Sequence, residues 1–226
     1  PVTDVDLACA ADAIDLTREP IRGAKLTASH TRFRTATLVV GTARIDIATA
    51  RTETYPRPGD LPRVATPAPI EDDLRRRDFS INAIALRLDG DPLLLDPCNG
   101  IADLGAGVVR VLHDASFRDD ATRIYRAFRY AARLGFAIDP RTRALFSDAQ
   151  RLVQHIGRSR LHRELRLMLL DEPPGASLSM CHAAGMLTPI DTLLGWDEAS
   201  ARARASWTRA RASAPRSTAR PATTAA

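Results

Sequence analysis

Residues 35–50, TATLVVGTARIDIATA, decide how the first half of the chain folds. Two β-rich runs, TATLVV (35–40) and RIDIATA (44–50), flank Gly41 and Thr42, and this pattern reads as a hairpin. In the second run Ile45 and Ile47 share one face while Asp46 sits alone on the other. An acid in the middle of a strand is either a solvated residue on an outer sheet face or one member of a functional cluster. Upstream, Thr3-Asp4-Val5-Asp6-Leu7 repeats the alternation, with Asp4 and Asp6 on one face and Val5 and Leu7 on the other. A lone Asp-x-Asp reads more readily as two exposed acids than as a site. Two such carboxylates can still converge on a hard cation, and Mg²⁺ prefers a few carboxylates plus substrate phosphates to a closed protein cage. A third acid on a neighbouring strand would complete the set that two-metal phosphoryl transfer uses.

Beyond the hairpin, five prolines between Pro56 and Pro69 mark an extended loop, and LLLDP (93–97) is a short apolar run ending in a turn. Ile70 to Leu86, IEDDLRRRDFSINAIAL, follows Pro69 with three acids in its first turn and reads as one helix. On that helix Ile70, Leu74, Ile81 and Ala85 line one side, and Arg77 falls on the same stripe. A buried-side arginine needs a partner, either Asp78 or Asp73 in an ion pair or a ligand. From 116 the chain reads as helical. Ser116 and Asp119 suggest a capping pair, Ile124, Ala127, Phe128, Ala131 and Leu134 form an apolar stripe, and Gly135 stops it. Further helices are predicted over 159–170 and 177–184.

The polar side of the helix from 117 carries Arg123, Arg126, Arg129 and Arg133, with Asp120 three residues before Arg123. Arginines stepping around one face suit a triphosphate or an RNA backbone. An acceptor beside a donor can read a base edge: cytosine and adenine both pair an exocyclic amine with a ring-nitrogen acceptor, whereas uracil and guanine do not. The plain alternative is a solvated basic helix with an Asp–Arg pair.

The 226 residues are 45% hydrophobic and 26% charged, enough for one domain or two small ones with a core and too apolar for a wholly disordered chain. The net charge of +5 comes from the end of the chain: residues 199–226 carry six arginines and no acid, and without them residues 1–198 sum to −1. Global basicity is therefore no argument for a nucleic-acid partner. No apolar run of about 18 residues predicts a membrane span, and no apolar leader precedes Asp4. Cys9, Cys98 and Cys181 lie scattered, which points to a reducing cytoplasm and away from a disulfide frame or zinc site. The five histidines form no metal-hydrolase pattern.

Five segments in order, TDVDLA (3–8), RIDIATARTETYPRPG (44–59), EDDLRRRDFSINAIAL (71–86), LLDPCNGIADL (94–104) and DDATRIYRAFRYAARLGF (119–136), resemble the class II tRNA nucleotidyltransferase and poly(A) polymerase family, best known for CCA-adding enzymes. The resemblance implies an α+β fold. Its parts would be a nucleotidyltransferase head with a small mixed sheet (1–112) and a helical neck (113–196); residues 197–226, rich in Ala, Arg, Ser, Thr and Pro with no apolar period, read instead as a low-complexity, disordered tail. It implies that Asp4 and Asp6 bind Mg²⁺ and that Asp46 is the third catalytic carboxylate. Arg77, Asp78 and Asn82 would hold nucleotide, Asp120 and Arg123 would serve as the template for C and A, and Arg126 and Arg129 would contact the bound nucleotide. The implied partners are the tRNA 3′ end, CTP and ATP, with no membrane. A poly(A) polymerase, an A-only or CC-only enzyme, and a non-catalytic RNA-binding protein are the alternatives. Asp119 stands where the family usually has Glu, and Gly157 and Ser159 where Ser and Glu are commoner. The family's Gly-Gly-x-x-Arg-Asp segment belongs upstream of the acidic pair, and the sequence opens at Pro1, three residues before Asp4.

Overall fold

Alternating apolar runs become strands in the computed structural model, which describes residues 3–57, 60–170, 175–190, 197 and 199. The first strand is β1 (Asp4–Cys9), and the short helix α1 (Ala13–Leu16) follows it. Then come β2 (Ala24–His30), β3 (Thr35–Val40) and β4 (Ala43–Thr49). The sheet order is β1-β4-β3-β2, with β1 parallel to β4 and the other pairs antiparallel. The predicted hairpin closes through Val40 and Ala43, and Gly41 supplies a φ of +59° at the first loop position, where side chains are disfavoured. One face of the sheet buries Ala36 and Leu38 together with Ala13 of α1.

The chain then forms the pair β5 (Thr52–Thr54) and β6 (Arg63–Ala65), the second inside the proline-rich loop. Helix α2 (Ile70–Arg75) follows. The single helix predicted over 70–86 is not formed: it ends at Arg75, a 3-10 turn occupies Ser80–Asn82, and strand β7 (Ala85–Arg87) pairs with β8 (Leu93–Leu95). Side-chain hydrogen bonds compete with the helix here. The Asp78 carboxylate accepts from the Phe79 backbone N–H and the Asn82 amide, both at 3.0 Å. Extended Phe79 bridges to Val111, and its ring is fully buried.

Helix α3 (Gly100–Ala106) leads to β9 (Val108–Val109), α4 (Ser116–Asp119) and α5 (Thr122–Leu134). The helix predicted from 117 is therefore broken, and Asp120 is extended at the break, with φ −145° and ψ 101°. Its carboxylate accepts from the Thr122 N–H at 2.9 Å and the Thr122 hydroxyl at 2.7 Å, so it starts α5 instead of continuing α4. Ser116 does not cap α4; its hydroxyl accepts from Arg123 at 2.8 Å. Gly135, at φ +69°, ends α5 as predicted. After it come β10 (Ala137–Ile138), α6 (Pro140–Ala144), α7 (Phe146–Ala149), a 3-10 stretch Gln150–His155, α8 (Arg158–Leu170) and α9 (Ala176–Ala183).

The architecture is a mixed α/β head with a four-stranded sheet, followed by a helical region. The predicted stripe of α5 is the centre of the main core, where Ile124, Ala127, Phe128 and Ala131 pack with Phe117, Phe146, Met168 and Leu178. Fully burying an Ile, Phe, Met or Leu side chain stabilises by about 1.5–3 kcal/mol. This cluster also takes in Phe79, Val109 and Val111, so it reaches across the predicted boundary at 112/113. Apart from 197 and 199, the predicted tail lies outside the described residues. Among the described residues no helix is long and apolar enough to cross a membrane.

Candidate functional site

The acidic face of the sheet follows from its register. Strand β1 is exposed at Asp4 and Asp6 and half-buried at Val5 and Leu7, as its alternation predicts. Asp6 lies opposite Asp46 in the parallel pairing with β4, so the two acids sit on adjacent strands about 4.8 Å apart along the hydrogen-bonding direction. The Asp46 carboxylate is engaged: the Thr37 hydroxyl donates to it at 2.6 Å, and Arg44 donates at 3.1 Å and pairs with its second oxygen at 2.9 Å. Asp4 and Asp6 make no side-chain hydrogen bond or ion pair with any described residue. Two free, hard oxygen donors on one exposed face fit a divalent cation that keeps most of its positions for water and phosphate. No group of three His, Cys, Asp or Glu side chains among the described residues is close enough to enclose a metal by itself.

Facing the sheet are the end of α2 and the turn after it. Arg77 donates to the Asn82 carbonyl at 3.3 Å and pairs with Asp73 at 3.2 Å, while its buried Nε has no partner among the described residues. Of the two sequence candidates, Asp73 is thus its acidic neighbour. Asp78 pairs instead with Arg126 of α5, at 2.6 Å. Burial of Asp78 would raise its pKa, but Arg126, the Asn82 amide and Arg123 outweigh burial and hold the carboxyl below its usual range.

The arginines of α5 do not form an open row. Arg123 is buried and donates to Ser116 and, at 2.8 Å, to the Arg76 carbonyl; Arg129 pairs with Glu164 of α8 at 2.8 Å. The second Asp120 oxygen accepts from Arg160 at 2.5 Å. Eight of the ten predicted residues nonetheless line one open cleft of about 1580 Å³: Asp6, Asp46, Arg77, Asp78, Asn82, Asp120, Arg123 and Arg126. Asp4 and Arg129 are not in its wall.

Sequence reasoning missed a largely buried network in the wall of the cleft. Glu53 accepts from Tyr55 at 2.7 Å and pairs with Arg51 at 2.7 Å and Arg76 at 3.1 Å, while Arg76 also pairs with Asp73 at 2.6 Å. Burial pushes up both Glu53 and Tyr55, but Tyr55, Arg76 and Arg51 together bring the Glu53 carboxyl below its usual range, whereas the hydrogen-bonded Tyr55 phenol stays raised. The local signal was Arg51, Glu53 and Tyr55 at two-residue spacing along and beside β5; Arg76 lies more than twenty residues away.

Such an acidic sheet opposite a basic helical wall defines a nucleotide-handling head joined to a helical region. Residues 1–110 match the Poly A polymerase head domain, and residues 135–190 match the family described as "Probable RNA and SrmB-binding site of polymerase A". The chain belongs to the class II tRNA nucleotidyltransferase/poly(A) polymerase head family. It is 41% identical over 202 residues to the A-adding tRNA nucleotidyltransferase of Aquifex aeolicus (strain VF5), covering 87% of this chain and 24% of the relative. It is 43% identical over 165 residues to the CC-adding tRNA nucleotidyltransferase of Deinococcus radiodurans, covering 71% and 43%. A solved tRNA nucleotidyltransferase complexed with a primer tRNA and an incoming ATP analog superposes with a TM-score of 0.76 at 34% identity, covering 89% of this chain and 58% of that one. The chain thus spans less than half the length of these two curated relatives.

Proposed function

We propose that this chain carries the catalytic and base-selecting part of a template-independent tRNA nucleotidyltransferase that adds C and A to the tRNA 3′ end from CTP and ATP. The observation that carries the reading is the cleft in which Asp6 of β1 and Asp46 of β4 face Arg77, Asp78 and Asn82 on one side and Asp120, Arg123 and Arg126 on the other. The relatives' named activities, and a related structure holding primer tRNA and an ATP analog, support the same reading.

In this reading Asp4 and Asp6 hold Mg²⁺. Bound there, Mg²⁺ would supply Lewis-acid chemistry, a lower pKa at the 3′-hydroxyl and neutralisation of charge on pyrophosphate. Asp46, fixed by Thr37 and Arg44 next to Asp6, helps activate the hydroxyl by accepting its proton as a general base. Arg77 has a buried Nε still to satisfy and contacts the nucleotide. Asp78 and Asn82 keep the turn that presents Arg77. A carboxylate has about four lone-pair sites. Thr122 and Arg160 take three at Asp120, which leaves one for the exocyclic amine of cytosine or adenine. Arg123, clamped by Ser116 and the Arg76 carbonyl, fixes where the matching donor stands. Arg126 completes the cationic wall, Arg129 braces α5 from outside it through Glu164, and the cytoplasm is where this chemistry operates.

The test is incorporation of CTP and ATP into tRNA lacking its CCA end. Asp4→Ala and Asp6→Ala each lower incorporation by at least about 100-fold, since a metal site supplies several kcal/mol of transition-state stabilisation. Equal incorporation by wild type and Asp4→Ala overturns the assignment. Product length and CTP use separate full CCA addition from A-only, CC-only or poly(A) synthesis.

A further inference from the structure

Reading the edge of a nucleobase requires the base to lie in a fixed plane. Unpaired bases are held in plane by stacking on an aromatic ring, and any base can use such a ring because every base has a π face. Among the described residues three rings line the cleft: His30, Tyr55 and Tyr130. His30 ends β2, on the sheet that carries the acids. Tyr130 is already covered. The Arg126 and Arg133 guanidiniums stand over its ring, 5.6 and 4.9 Å from the centroid, and Phe79 meets it edge to face at 5.6 Å. Tyr55 is half-buried, and no ring or guanidinium among the described residues stacks on it.

Tyr55 also stands beside the base-reading pair. It shares the cleft wall with Asp120 and Arg123, and it shares a neighbouring pocket of about 410 Å³ with Asp119. The charges of Arg123 and Asp120 both reach its phenol, which burial and Glu53 hold above the usual tyrosine range. The ring is kept in place from its far end. Its hydroxyl donates to Glu53 at 2.7 Å, and Arg51 and Arg76 clamp Glu53 at 2.7 and 3.1 Å. A side chain immobilised before the ligand arrives loses little entropy on binding. Glu53 keeps both cationic partners if the hydroxyl is removed, so the ring and the hydroxyl can be tested separately.

We propose that the Tyr55 ring is the surface on which the base of the incoming nucleotide stacks while Asp120 accepts from its exocyclic amine. This rests on the reading of the cleft as a site for RNA extension. It separates two tasks: Tyr55 supplies affinity common to all bases, and Asp120 supplies the choice among them.

The test measures equilibrium binding of CTP, ATP and inorganic tripolyphosphate to the full chain with Mg²⁺. Y55L weakens CTP and ATP by about 10-fold or more, the loss expected for one base–aromatic stack. Y55F, which keeps the ring and lacks the bond to Glu53, restores both to within about 3-fold of wild type. Tripolyphosphate, which has no base, binds Y55L and wild type alike. Nucleotide affinity that Y55L retains in full overturns the platform. So does an equal loss in Y55F, which assigns the effect to the hydroxyl, or a parallel loss of tripolyphosphate, which assigns it to collapse of the site. If the platform fails in one of these ways while wild type extends tRNA lacking its CCA end and Asp4→Ala does not, the cleft reading survives. If the nucleotide results hold but wild type extends no RNA, the platform stands and the extension reading falls. A wild type that binds neither CTP nor ATP defeats both.

Discussion

Asp78 is ionised in the fold because Arg126 and the Asn82 amide surround it, against the cost of its burial. A carboxyl whose pKa is depressed by folding contributes stability that is fully present above its unfolded value of about 4 and is lost as pH falls through the depressed value. Glu53 acts in the same direction. Asp78→Asn therefore flattens the acid limb of the stability curve, read as the denaturation midpoint between about pH 2 and pH 5. At Asp120 the expected effect is on choice of nucleotide. Asp120→Ala lowers the preference for CTP and ATP over UTP by about 10- to 100-fold, the 1–3 kcal/mol that a base-edge contact supplies, measured as ratios of kcat/KM.

Among the elements, α3 has the tightest backbone contact. A Cβ on Gly100 would lie 2.1 Å from the Ser80 carbonyl oxygen, and a carbonyl held in a turn has little room to retreat. Gly100→Ala destabilises by about 3 kcal/mol, seen in chemical denaturation, and it displaces the turn that carries Asp78 and Asn82. Asp96 starts the same helix by accepting from the Gly100 and Ile101 N–H groups at 2.6 and 3.0 Å, so Asp96→Ala costs about 1 kcal/mol in the same measurement. The hairpin at 35–49, the apolar stripe of α5 and its end at Gly135 were legible because local alternation, 3.6-residue periodicity and a glycine stop decide them. The break at Asp120 and the turn after Arg75 were not. Both depend on a carboxylate that prefers a neighbouring N–H to the helix, and in the second case also on Phe79 pairing with Val111. Position in the chain revealed the acids of β1 and β4 and the arginines, but not which of them are already paired. Arg129 with Glu164 and Asp120 with Arg160 lie 35 and 40 residues apart.

Across the whole molecule, Arg110 ties the head to the helical region. It donates to both Asp103 oxygens of α3 and to Asp139 at the start of α6 at 2.6 Å, while Ser80 donates to Asp103 at 2.5 Å. Asp103 and Asp139 are both buried. Arg110→Met leaves two buried carboxylates without their cation and costs about 2–3 kcal/mol, below the usual figure for a broken buried pair because the guanidinium is itself half exposed. The loss appears as a lower midpoint in thermal denaturation. A second tie between the halves is the hydrogen bond from Arg123 to the Arg76 carbonyl, the residue just before Arg77. Helix α5 and the loop bearing Arg77 are therefore mechanically coupled. A chimaera that imports only residues 116–134 from a relative with another nucleotide preference also drags the anchorage of Arg77 with it, so transplanting selectivity cleanly requires exchanging both segments together.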